Sequence, residues 1–158
     1  MAVICNDQKF VDSLCNKGIS VDCTNVWGRN KHKAKLSFNA FFLKILSLFC
    51  EKIFSDSSTL LGTASCFGTV EMFEWLLNEK KADISVVNKK NGHNVLHNSI
   101  FFGNERVMDY ILKKNLIDIQ VPVKNKRKSS CLDMAILGGN FNIYKKVTQL
   151  ILFIFFIL

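Results

Sequence analysis

Residues Gly92 to Asn104 read GHNVLHNSIFFGN, with His93 and His97 four residues apart in front of an apolar run. At that spacing two imidazoles can share one helix face and hold a metal, as in His-Glu-x-x-His enzymes. Here the intervening residues are Asn94, Val95 and Leu96, with no glutamate to act as a base. Asn94 is a helix N-cap residue type, so His93 falls before the helix and the two rings need not share a face. The stretch reads as scaffold, and its meaning lies in its recurrence.

Two further windows match it: TLLGTASCFGTVEMFEWLL from Thr59 to Leu77, and SCLDMAILGGNFNIYKKVT from Ser130 to Thr148. Leu61, Leu96 and Leu132 align at offsets of 35 and 36, as do the small residues Ala64, Ser99 and Ala135 and the glycines Gly68, Gly103 and Gly139. Thr59, Asn94 and Ser130 precede the leucines, while Thr69, Asn104 and Asn140 follow the glycines. All six are N-cap residues, able to satisfy an unpaired N–H of a first helical turn. Each window therefore predicts a short helix, a glycine turn and a second helix. The second helix places Met72, Phe73, Leu76 and Leu77, then Val107, Met108, Ile111 and Leu112, on one face. A helix pair cannot enclose that face alone, so stacked copies must supply the core.

These windows resemble the ankyrin repeat, whose first helix opens Thr-Pro-Leu-His-x-Ala and whose units join through an outward β-hairpin finger. The clearest copy places Gly92, Leu96, His97, Gly103, Ile111, Leu112, Asp118 and Ile119 at the pattern's positions, with Asn94-Val95 for Thr-Pro and Ser99 for Ala. The other copies are more degenerate: Leu60 and Gly62 stand for Pro and His in one, Cys131 and Asp133 in the other. The resemblance implies that His97 is a scaffold histidine, its neutral ring bonded between neighbouring loops. It implies an all-α solenoid of stacked helix-turn-helix units with finger loops. The expected organisation is an N-terminal partial repeat at 1–28, repeats over 59–147 divided as 59–91, 92–127 and a partial 128–147, and an apolar tail at 148–158. In the first segment Leu14-Cys15 takes the Leu-Leu slot and Gly18 the following glycine, so the chain is expected to start inside a first helix.

Residues 29–58 interrupt that register. Gly28 should open a repeat with its leucine four residues on, yet the aligned leucine is Leu61. The segment carries KHKAK and then FNAFFLKILSLFCEKIF, in which Phe41, Phe42, Ile45, Leu46, Leu48, Phe49 and Ile53 predict a broad apolar helix face. It is open to three readings: an insertion packing on the solenoid, an amphipathic element at a membrane surface, or translated intron. The tail VTQLILFIFFIL is too short to span a bilayer, which takes about 20 apolar residues. As a final helix it would leave apolar surface exposed.

Composition limits what else the chain can be. It is 49% hydrophobic and 22% charged, an ordinary folded-domain balance rather than that of a disordered chain. Six cysteines form no Cys-x-x-Cys pair and do not group with the three histidines, so neither a zinc site nor a disulfide framework is expected. Reduced thiols suit a cytoplasmic or nuclear protein. Asp7 and Lys9 interrupt the N-terminus before a secretory apolar stretch forms. Segment 29–58 carries six Lys and Arg against Glu51 and Asp56, about half of the net charge of +8, so the repeats are only mildly basic. With no aromatic interleaving or groove-reading helix, nucleic-acid binding is a minor alternative. The run VKNKRKSS reads first as a solvated finger loop and second as a patch for an anionic partner. Trp27, Trp75 and Tyr110 are expected to pack. No phosphate-binding loop, nucleophile elbow or paired carboxylates stand in a plausible site, so neither an enzyme, a cofactor, a metal nor a small-molecule substrate is expected.

The expected function is a non-enzymatic module that binds a protein partner, standing alone or as part of a longer repeat protein. A membrane-associated adaptor using residues 41–54 and the apolar tail is the alternative. The resemblance places partner contacts on finger tips and first helices, here Asn88, Lys89, Lys90, Asn98, Lys124, Lys126 and Arg127. Leu61, Ala64, Gly68, Gly92, Leu96, His97, Gly103, Leu132, Ala135 and Gly139 would hold the shape.

Overall fold

The computed structural model describes residues 7–18, 20, 22, 59–124 and 127–157, the side chains of Phe10, Leu14 and Ile157 excepted. The segment at 29–58, Trp27, Gly28 and Lys126 lie outside the described residues. The described residues form seven helices and no strand: α1 (Gln8–Asn16), α2 (Leu60–Phe67), α3 (Val70–Asn78), α4 (Val95–Phe101), α5 (Glu105–Lys113), α6 (Cys131–Leu137) and α7 (Phe141–Ile157).

Each polar residue singled out at a helix start accepts a backbone N–H of the first turn. Thr59 takes that of Gly62 at 3.0 Å, Thr69 that of Met72 at 3.3 Å, and Asn94 that of His97 at 2.9 Å. Asn104 takes that of Val107 at 3.4 Å, Ser130 that of Asp133 at 3.1 Å, and Asn140 that of Ile143 at 3.2 Å. Short helices of seven to nine residues are marginal alone, so these caps and the packing between units must hold them. Two starts close further into capping boxes, with His97 and Asp133 reaching back to the N–H groups of Asn94 and Ser130.

Inner helices α2, α4 and α6 stack side by side, and each packs against its own outer helix, α3, α5 or α7. The sequence offset becomes spatial layering. Met72, Val107 and Ile143 fill one level of the core and Leu76, Ile111 and Val147 the next, all essentially without exposure. Ala64, Ser99 and Ala135 are buried where inner helices approach, and their small side chains permit that closeness. Trp75, Tyr110 and Leu132 pack on the edge of this core, half-buried. Thus the solenoid takes the form that the spacing predicts.

Three details differ from the sequence reading. The aligned glycines share a slot but not a conformation. Gly103 turns at φ +79°, where side chains are strained, whereas Gly68 is extended and glycine there for lack of room: a Cβ would stand 2.8 Å from the Ala64 carbonyl oxygen. The fingers are built of turns, with isolated backbone bonds in place of a β-hairpin. Finally, residues 148–157 continue α7 as one 17-residue helix. No glycine, proline or capping residue follows Val147 to stop it, and Thr148 turns its hydroxyl back to the Tyr144 carbonyl at 2.8 Å.

Candidate partner-binding surface

The first finger is organised by Asn88. Its Oδ1 accepts the N–H groups of Lys90 at 2.9 Å and Asn91 at 3.3 Å, while its backbone N–H bonds to the His93 carbonyl at 2.9 Å. Gly92 closes the turn by donating to the Asn88 carbonyl at 2.7 Å. In the second finger Val123 donates to the Ser129 carbonyl at 2.8 Å, repeating the Asn88–His93 bond one unit later. The fingers are then joined, because the Lys124 N–H bonds to the Gly92 carbonyl at 3.1 Å.

His97 supports this junction from below. Its Nε2 lies 2.9 Å from the Val121 carbonyl, which can only accept, so Nε2 carries the proton. Its Nδ1 then accepts the Asn94 N–H at 3.3 Å. Both ring nitrogens are thereby engaged, and a neutral ring is required. Burial holds its pKa down at about 4 and also lowers that of His93. The His93 and His97 ring centres are 6.2 Å apart. With neither His97 nitrogen free to coordinate, the pair is no chelate. Among the described residues no group of three or more His, Cys, Asp or Glu could hold a metal ion.

The residues expected to meet a partner fall into two sets. Lys89, Lys90, Lys124 and Arg127 are exposed on the two joined fingers, with Lys128 beside them. Asn88 and Asn98, both expected among the partner contacts, are buried. Asn88 is spent on the loop itself. Asn98 lies in a cleft lined by Thr59, Gly62, Val86 and His93. Its side-chain nitrogen is 3.5 Å from where a Cβ on Gly62 would stand. Gly62 occupies the slot that His97 fills in the next unit, and Asn98 uses the space the missing ring leaves. That glycine was the sequence signal for its burial.

A family profile described as ankyrin repeats in three copies matches residues 61–151. The chain belongs to the ankyrin repeat family. None of the curated proteins matches it. Ankyrin repeats generally mediate protein–protein interaction and are typically non-enzymatic. In this ankyrin chain two fingers flank the best-preserved unit, and the exposed side chains described on them are mostly cationic.

Proposed function

We propose that this ankyrin chain is a non-enzymatic interaction module whose joined fingers hold an acidic segment of a protein partner. The observation carrying this reading is the bond from Lys124 N–H to Gly92 C=O, which joins the finger of Lys89 and Lys90 to that of Lys124. Exposed cations on the two joined fingers attract carboxylates and speed their capture without needing a deep pocket. Neither finger carries Phe, Tyr or Trp on which bases could stack, which favours a peptide over nucleic acid. The free thiols Cys15, Cys66 and Cys131 suit a reducing cytoplasmic or nuclear setting.

Fluorescence anisotropy with a labelled peptide of six Glu-Ser pairs tests the reading. The triple variant Lys89→Glu/Lys90→Glu/Lys124→Glu is expected to weaken binding at least tenfold, and raised salt should weaken binding by the unmodified chain. Equal affinity of the two proteins would remove the fingers from the binding surface.

A further inference from the structure

Among the described residues, the most exposed apolar side chains stand at the far end of α7. Outer helix α5 has nine residues and α7 seventeen. Lys146 bonds to both Glu105 at 2.6 Å and Asp109 at 2.7 Å, which lays the start of α7 alongside α5. The last eight residues of α7 therefore have no counterpart on that neighbour. At 1.5 Å per residue this overhang is about 12 Å long. Leu150, Leu152, Phe153, Phe155 and Phe156 are exposed on it, Phe155 by 79% and Phe156 by 88%. Ile151 and Ile154 pack against the core on the opposite side. The aromatic face is thus held out by a helix already formed, so binding there has little ordering cost.

We propose that this overhang docks on an anionic lipid surface, inserting Phe153 and Phe156 among the acyl chains. No helix among the described residues is long and apolar enough to cross a membrane. An overhang about 12 Å long with one exposed apolar face suits an interfacial anchor lying along the surface, well short of a core about 30 Å thick. Charge selects lipid over a second copy. From Phe141 onward α7 contains no acidic residue, and the chain carries +8 overall. Lys145 is exposed on α7, and Lys113 and Lys114 are exposed at the end of α5. The repeat offset of 36 sets those two level with Gln149 and Leu150, at the base of the overhang. Lysines beside an aromatic face complement phosphatidylserine headgroups, whereas two copies would bring like charges together.

Co-sedimentation of the full chain with phosphatidylcholine vesicles, with and without phosphatidylserine, tests the proposal. The expected result is binding to the phosphatidylserine vesicles, weakened by salt and at least tenfold poorer for Phe153→Ser/Phe156→Ser. Reversal of the base cations in Lys113→Glu/Lys114→Glu should reduce binding about tenfold or more on anionic vesicles alone. All four positions are exposed, and circular dichroism of each variant checks that the helices persist. Absence of binding, or unchanged binding by the phenylalanine variant, overturns the proposal. So does a dimer, seen by sedimentation velocity, that the same variant dissolves, since that assigns the face to a second copy.

Discussion

Asn104 donates its side-chain amide to the Gly68 carbonyl across 2.9 Å while its Oδ1 accepts the N–H of Val107. One side chain therefore caps α5 and ties the second repeat to the first. Asn140 stands in the same place one unit on, its amide nitrogen 2.9 Å from where a Cβ on Gly103 would lie. Asn104→Asp keeps the cap and loses the tie, for an expected cost of about 1–2 kcal/mol. Asn104→Ala loses both and should cost more, about 2–3 kcal/mol. Urea unfolding of the two variants separates the roles; equal losses would mean that the tie contributes nothing.

Stability should depend on pH through His97. Its folded pKa of about 4 lies below the ordinary value near 6.5, so the unfolded chain binds the proton more readily. The stabilisation is fully present above about pH 6.5, falls as pH drops towards 4, and is then flat. The full loss is about 3 kcal/mol, and His93, also lowered by burial, adds with the same sign. Urea midpoints at pH 7.5 and 4.5 measure it. His97→Gln should be less stable at pH 7.5 and should lose most of the difference between the two pH values.

The two kinds of glycine predict different responses. In Gly103→Ala the cost is the positive φ together with displacement of the Asn140 amide, about 1–2 kcal/mol. In Gly68→Ala the new methyl meets the Ala64 backbone, which cannot swing aside as a side chain can, and about 2–3 kcal/mol is expected. Thermal unfolding ranks them, with Gly68→Ala the lower.

Thiol reactivity should follow packing. Burial pushes the Cys66 and Cys131 thiols up to about 12, leaving almost no thiolate at pH 8. Iodoacetamide labelling mapped by peptide mass is expected to spare both in the folded protein and modify both in urea, with half-buried Cys15 modified before either of them.

What was legible in the sequence was local. N-cap residues and turn glycines act within three or four positions of themselves, so Asn94, Asn104 and Ser130 marked helix starts directly. His97 could be placed on the scaffold by resemblance, but its second bond, back to the Asn94 N–H, could not. The ties to the Gly68 and Gly92 carbonyls were hidden because a backbone acceptor leaves no trace in residue type. Asn98 is polar yet buried, beside the space that Gly62 leaves open. The apolar tail was readable as a final helix, whereas its continuity with the outer helix of the last repeat came only with the structure.

The helix stack also has a mechanical consequence. Among the described residues, inner helices pack mainly on their own outer helix and on the units before and after them, and each tie spans one step of the ladder. Load applied along the stack is then shared by a few bonds at a time, so units should peel off singly from the ends rather than rupture together. The central pair α4 and α5, flanked on both sides, would be the last to let go. A partner held on its fingers would stay attached to the portion of the molecule that yields latest under tension.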